Sequence, residues 1–344
     1  MNSTAIEHNP GVSADPATRA EFEAFRSNCG VYELTSRARI QITGGDRVRW
    51  LNGMVSNNVR DLAVNDGVYA FLLNPQGHIQ ADLYVFNRGD FLLVETDQGL
   101  VEKVLGIFDR YIIMDDVELA NVSGKLAGIG VAGAKARNAL LASGINLPEL
   151  VNLQSAEIKW RGTHLILIFR NDNPALDSFS LWIEPEQSLS LRQALAESGA
   201  VPVGARALEL LRIGSGIPEY GQDIRERDLP QETEQQRALN FSKGCYIGQE
   251  IVERIRSRGA VHRKFTGFEV QGALPAPGAK IQADGKDVGE ITSVAMLPLG
   301  ENERAVALGY VRREFAAPGK ELQVGGARLV VAELPFRGIW PNGA

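Results

Sequence analysis

Lys243-Gly244-Cys245-Tyr246-Ile247-Gly248-Gln249-Glu250, with the residues 251–259 that follow, is the most informative stretch of this chain. Ile247, Ile251 and Ile255 recur at i, i+4 and i+8, which predicts a helix starting near Tyr246 with one buried stripe. Glu250 and Arg254 form a favourable i, i+4 pair on that helix. Cys245 is then expected at the helix N-terminus beside Lys243, where unpaired backbone N–H groups, the helix dipole and the ammonium favour thiolate over thiol. Such a thiolate can act as a nucleophile, ligate a soft metal or respond to oxidation. The plainer alternative is a small side chain filling a crowded helix start. Gly244 and Gly248 allow close backbone approach at the thiol.

The rest of the chain sets the frame. Its 344 residues suggest two or three domains. Hydrophobic residues make up 44% and charged ones 23%, a globular balance that excludes a disordered or low-complexity protein. With 36 basic and 42 acidic residues the net charge is −6, so any contact with nucleic acid has to be local. No apolar run approaches a membrane span, and the N-terminus carries no basic region followed by an apolar stretch. A cytoplasmic protein without membrane contact is the expectation. Cys29 and Cys245 are the only cysteines, which excludes a disulfide framework and an all-cysteine metal site in one chain. No resident metal is expected.

Residues 1–14 read as a flexible tail, and Asp15-Pro16 as an N-cap and first-turn proline opening a helix. From there to residue 124 strands and helices alternate, with strands at 68–73 and 79–86 joined by the turn Asn74-Pro75-Gln76-Gly77. A second unit of hairpins and helices runs over 125–262 and includes the cysteine helix. From 263 to 344 short strands are punctuated by Gly, Pro and Asp, which predicts a small β-barrel. The class is α+β: two mixed α/β units and a C-terminal barrel.

Three further features carry chemistry. In the strand at 79–86, Ile79, Ala81, Leu83 and Val85 share one face, while His78, Gln80, Asp82 and Tyr84 share the other. That polar, partly aromatic face either lines a pocket or is solvated. Gly128-Ile129-Gly130-Val131-Ala132-Gly133 matches the dinucleotide fingerprint in spacing, but the strand pattern runs through its glycines, so close backbone packing explains it better. Arg254, Arg256, Arg258, His262, Arg263 and Lys264 form a local basic cluster, either a solvated face or an anion contact. It lacks interleaved aromatics, so direct RNA binding is not favoured.

The octet 243–250 resembles the signature of the YgfZ family of folate-binding proteins, within the superfamily of the glycine cleavage T-protein, the aminomethyltransferase. Met54-Val55-Ser56-Asn57-Asn58-Val59 is similar to that superfamily's T-N-D-V turn. Residues 69–74 and 77–83 are similar to its central hairpin, and Ile217-Pro218-Glu219-Tyr220-Gly221-Gln222-Asp223 to its G-x-P-x-Y-G-x-D loop. The resemblance spans roughly residues 30–325. It implies a ring of two aminomethyltransferase-type α/β units and the barrel around a tetrahydrofolate site. The residues it implies for that site are Asn57, Tyr69, Asn74, Asp82, Tyr84, Tyr220, Lys243, Tyr246, Gln249 and Arg254. It further implies Cys245 as a reactive thiol and Asp82 as a candidate catalytic acid. YgfZ-type members support iron–sulfur enzymes, tRNA-modifying ones among them, so an accessory role with iron–sulfur client or assembly proteins as partners is the leading expectation. The alternative is a folate-dependent aminomethyltransferase acting on a methylamine-type substrate. Two departures from the aminomethyltransferase pattern weigh against that alternative. The adjacent acids of G-G-x-x-D-D-L read Ala81-Asp82 here, and L-R-x-E-A-G reads Leu211-Arg212-Ile213-Gly214-Ser215-Gly216, without its glutamate.

Overall fold

Alternation along the chain builds two sheets, each with one apolar and one mixed face. The computed structural model describes residues 14–259 and 261–341. Strands β2 (Arg37–Thr43), β3 (Gly67–Leu73), β4 (Ile79–Asn87), β5 (Leu92–Asp97) and β6 (Glu118–Asn121) form an antiparallel sheet in the order β3-β4-β5-β2-β6. Ala38, Ile40, Ile42, Ala81, Leu83, Val85 and Val94 point to one side, under helices α2 (Arg47–Met54) and α3 (Val101–Arg110), whose Trp50, Leu51, Val104 and Phe108 close that core. The two-residue period leaves Arg39, Tyr69, Asp82, Tyr84 and Glu95 on the opposite side.

A second sheet has the order β11-β1-β7-β10-β9-β8, from β1 (Gly30–Glu33), β7 (Ala127–Ala132), β8 (Ser155–Trp160), β9 (His164–Arg170), β10 (Ser178–Ile183) and β11 (Val201–Pro202). Helices α4 (Ala136–Ala142) and α5 (Pro185–Glu197) pack on its apolar face. The G-x-G-x-x-G stretch lies largely within β7. A Cβ on Gly130 would sit 2.1 Å from the Tyr32 ring and one on Gly128 2.5 Å from Trp182, so these glycines serve close packing.

The division at residue 124 needs one correction. Helix α1 (Pro16–Ser27) and β1 precede the first sheet in sequence, yet β1 pairs antiparallel with β7 and parallel with β11 in the second. A four-residue strand announces its conformation but not its partner. Ala14, placed in the tail by sequence, is buried with Phe22 and Phe25 of α1; residues 1–13 lie outside the described residues. Asp15 caps α1 as expected, accepting from the backbone N–H of Ala17 and Thr18 at 3.0 and 3.1 Å.

The C-terminal unit is a closed six-stranded barrel in the order β12-β15-β14-β13-β16-β17, from β12 (Arg263–Gln271), β13 (Lys280–Ala283), β14 (Lys286–Leu299), β15 (Asn302–Arg312), β16 (Glu321–Val324) and β17 (Ala327–Ala332). Helix α6 (Ala205–Gly214) and α1 pack between it and the second sheet. One buried carboxylate ties the units. Asp223 accepts from Arg212 Nη1 at 2.6 Å, from the Glu219 backbone N–H at 3.0 Å and from Ser293 Oγ of β14 at 2.7 Å, and also from Thr292 Oγ1. Removing it takes from the largely buried Arg212 guanidinium one of its two close carboxylates, Glu209 being the other, and leaves the Glu219 N–H and the Ser293 hydroxyl without this buried acceptor. Asp223→Ala is therefore expected to cost about 3–5 kcal/mol, measured by chemical denaturation; a loss under about 1 kcal/mol would mean the barrel is held by its apolar contacts alone.

Candidate functional site

The mixed faces of the two sheets look at each other, and α6 closes the gap between them. They enclose a cavity of about 260 Å³ whose lining includes Arg37, Tyr84, Phe86, Glu95, Asp172, Ser180, Leu211 and Arg212. A second cavity of about 560 Å³ shares Asp172 and Ile217 with it and reaches the barrel at Phe265, Thr266 and Ala332. All three units thus contribute walls, as the ring arrangement requires.

Tyr69, Asp82 and Tyr84 come together on the cavity-side face of β3 and β4, with Tyr84 lining the cavity itself. The Tyr69 hydroxyl donates to Asp82 Oδ2 at 3.0 Å, and the two tyrosine rings lie 4.9 Å apart. Burial raises the Asp82 pKa above the usual carboxylate range, while nearby Arg37 and the Tyr69 hydroxyl pull it back. Burial also pushes the Tyr69 phenol well up, so it stays a donor. Tyr84 donates its hydroxyl to Asp172 Oδ1 at 3.1 Å. Asp172 in turn pairs with Arg237, whose guanidinium stacks 4.3 Å over the Tyr69 ring. Asn57 stands behind them, its Nδ2 donating at 2.8 Å to the carbonyls of both Tyr69 and Arg237. Tyr220 arrives from its loop, donating its hydroxyl to the Ile79 carbonyl at 3.4 Å and accepting from Lys103 at 3.2 Å.

The octet does something different from what its sequence suggests. Helix α7 (Gln249–Arg258) begins only after Gly248, whose φ of +81° and close approach to the Asn74 carbonyl (2.6 Å from a would-be Cβ) fit the loop against the β3–β4 turn. Cys245 therefore lies ahead of the helix, exposed, and not among its free N–H groups. Lys243 does not stand by the thiol. Its buried ammonium donates to the carbonyls of Asn52, Val55 and Asn57 at 2.5, 2.6 and 2.7 Å, which caps the C-terminal end of α2. Burial, helped by Arg60, lowers its pKa to about 7. Tyr246 is buried with Tyr69, Phe71 and Ile79; a register shift at Leu72–Leu73 brings Ile79 to this side, and not to the face of Ala81, Leu83 and Val85 that strict alternation gave it.

The other expected site residues lie elsewhere. Asn74 accepts from the His78 N–H at 2.9 Å and shapes the hairpin turn. Gln249 opens α7. Arg254 is exposed and borders a separate depression with Pro75, His78, Ile251 and His262. Three of the six residues of the basic cluster make internal pairs: Arg263 with Asp228 and Glu232, Lys264 with Glu234, Arg256 with Glu253. Cavity residues missed by sequence reading include Arg37, Glu95, Asp172 and Arg237. The alternation Arg37-Ala38-Arg39-Ile40 carried a signal for the first; no local pattern marks the others.

Comparison with known proteins decides the family. Residues 6–243 match the model of the GCVT N-terminal domain, and 263–336 that of the glycine cleavage T-protein C-terminal barrel domain. The chain belongs to the glycine cleavage T-protein family. An aminomethyltransferase of Halothermothrix orenii is 28% identical over 316 residues, covering 88% of this chain and 86% of its own. One from Rubrobacter xylanophilus is also 28% identical, over 326 residues, covering 92% and 83%. Among solved structures, the glycine cleavage system aminomethyltransferase T of Bartonella henselae shares the fold, with a TM-score of 0.84 at 21% identity over 94% of this chain and 90% of that one.

These matches correct the leading expectation. An accessory role in iron–sulfur maturation, with iron–sulfur client or assembly proteins as partners, gives way because the curated relatives that match along most of the chain are named aminomethyltransferase. The structure also reweighs the two departures from the T-protein pattern. Ala81 is fully buried in the core beneath α2 and α3, so an acid there would point away from the cavity, whereas Asp82 is on the cavity-side face. Gly214 faces Trp340 and Leu297 at the barrel junction, with a would-be Cβ 3.1 Å from the indole. No helix among the described residues is long and apolar enough to cross a membrane.

The position of Lys243 generates a test. Lys243→Met leaves three buried carbonyls without a donor and is expected to cost about 3 kcal/mol or more of stability, read by denaturant unfolding. The reaction rate of Cys245 with a thiol reagent in the native variant should stay within about twofold. A tenfold slower thiol with unchanged stability would restore an electrostatic role for Lys243.

Proposed function

We propose that this protein is a folate-dependent aminomethyltransferase that uses tetrahydrofolate to accept a one-carbon unit from a methylamine-type substrate. The observation that carries this reading is Asp82: the single acid retained from the family's pair is the one on the cavity side, fixed by Tyr69 and raised in pKa by burial. The walls fit a folate. Tyr84, Phe86, Leu208 and Leu211 offer apolar and aromatic surface, while Arg37, Glu95, Asn171 and Asp172 supply a few fixed polar groups. The adjoining chamber leaves room beyond a ring system for the rest of an elongated ligand. Within the family we place the chain beside its YgfZ-type members on the octet 243–250, which is what supports that finer placement.

Tetrahydrofolate, when bound, supplies the amine nitrogen that takes up the transferred carbon. Asp82 is the residue that holds or moves a proton at such an amine. Its Oδ2 is oriented by Tyr69, and Arg37 keeps a positive charge close enough to limit the rise of its pKa. Tyr84, held by Asp172, forms the neighbouring wall.

The test is turnover of an aminomethylated carrier protein by the purified chain, alongside anaerobic calorimetric titration with tetrahydrofolate. Asp82→Asn is expected to lower kcat by about 100-fold or more and to keep tetrahydrofolate affinity within about threefold. Because folding raises the pKa of Asp82, the native state favours its protonated form, and the stability it contributes is lost as pH rises through the raised value. The neutral variant should therefore be no less stable than the parent at pH 7. If Asp82 works as a base, kcat/KM falls as pH drops through that same raised value, placing the acid limb above the ordinary carboxylate range of about 4. Full activity in the variant would sink the assignment, and absence of tetrahydrofolate binding by the parent protein would sink the function.

A further inference from the structure

Arg237 links the two tyrosines beside Asp82. Its guanidinium stacks 4.3 Å over the Tyr69 ring and pairs with Asp172, the residue that accepts from the Tyr84 hydroxyl. The stack is fixed from several directions. Asn57 Nδ2 donates at 2.8 Å to the Arg237 carbonyl and at 2.8 Å to the Tyr69 carbonyl, so one side chain ties the two backbones together. Asp172 holds the guanidinium, and Gln235 Oε1 accepts from its Nε at 3.3 Å. Holding an arginine in one place costs rotamer freedom, and a partly exposed ion pair returns little of it. Stability alone is therefore a weak account of so constrained a residue.

The chemistry of the stack gives it a different purpose. A cation over the face of a phenol draws on the electron density of the ring and eases negative charge onto its oxygen. Burial, with the charge of Asp82 and the neighbouring Tyr84, drives the Tyr69 phenol well above its usual range, and Arg237 acts against that rise. A hydroxyl polarised in this way donates more strongly. Tyr69 directs that donor to Asp82 Oδ2 at 3.0 Å, and a hydrogen bond to the charged form opposes the effect of burial on the carboxyl. Other groups face Asp82 more directly. Arg37 lowers its pKa and Asp97 raises it, while the Tyr220 phenol, itself raised by burial and by the charges of Glu226 and Asp82, stands on the loop side.

We propose that Arg237 is a positioning residue for Asp82, acting through the Tyr69 ring on the hydrogen bond that holds the carboxylate, and through Asp172 on the neighbouring Tyr84. What Asp82 then does at an amine rests on the aminomethyltransferase reading. The coupling between Arg237 and Asp82 is measured without it.

The experiment labels the aspartate carboxyl carbons of the full chain with carbon-13 and follows Asp82 by NMR through a pH titration, its signal assigned by its loss in Asp82→Asn. In Arg237→Gln the Asp82 midpoint should move up by about half a pH unit or more. Arg237→Lys keeps a cation above the ring and should leave the midpoint within about 0.2 pH unit of the parent. Tyr69→Phe should raise the midpoint by itself, and adding Arg237→Gln to it should raise it no further, because the route through the hydroxyl is already cut. An unmoved midpoint in Arg237→Gln overturns the proposal, as does a lysine variant that shifts as far as the glutamine one. So does a glutamine effect that persists in full without the Tyr69 hydroxyl, which would mean that Arg237 acts on Asp82 directly through space. In turnover with tetrahydrofolate and an aminomethylated carrier protein, the acid limb of kcat/KM should follow the same shift in Arg237→Gln. A parent without turnover removes the aminomethyltransferase reading and leaves the NMR result to decide the coupling.

Discussion

Charged side chains sealed between two β-sheets are tolerable only where other charges and donors are sealed in with them. That constraint organises this molecule. The period of the β-strand sends Ile40, Ala81, Leu83 and Val94 under the helices, and by the same step turns Arg39, Asp82, Tyr84 and Glu95 toward the second sheet. The second sheet and the loops answer with Trp182, Asp172 and Arg237. Where the answer is complete, as at Asp172 and Arg237, the wall is fixed. At Glu95 it comes from Arg37, Arg39 and the Trp182 N–H, which pull back the carboxyl pKa that burial raises.

The loop that carries the octet serves the same arrangement from outside the cavity. Its lysine reaches three carbonyls at the end of α2, its glycine at 248 fits beneath the hairpin turn, and Tyr246 buries itself beside Tyr69 and Phe71. A segment some 170 residues downstream in sequence thereby braces the strand pair that holds Asp82. Asp223 does the equivalent work for the barrel by pinning Arg212 of α6 to β14. The wall that carries Asp82 is thus stiffened by contacts far apart in sequence, which suits the role at an incoming amine proposed for that carboxylate.

Local rules start the helix of the octet near Tyr246, and the structure departs from them for a local reason. Gly248 adopts a left-handed conformation, which ends the loop and starts the helix four residues after Cys245. The isoleucine periodicity located α7 correctly but could not say where its first turn closes, because a Gly can stand inside or outside a helix start. Lys243 shows the same limit. Its charge suggested a partner for the adjacent thiolate, whereas the carbonyls it meets belong to residues 52, 55 and 57.

The sequence by itself determined the alternation of the strands, the hairpin at 74–77, the cap at Asp15 and the β-rich texture after residue 263, because each depends on neighbours within a few positions. It also placed Tyr69, Asp82 and Tyr84 on one face, since side-chain direction in a strand follows from parity alone. Only the tertiary structure decided that this face is sealed by a second sheet, that β1 leaves its neighbours in sequence to join that sheet, and that Ala81 lies in the core and not in the cavity. It alone brought Arg37, Asp172, Arg237 and Glu95 into the site. Those outcomes depend on which surfaces pack together, and packing partners separated by a hundred residues leave no mark in the local pattern of either.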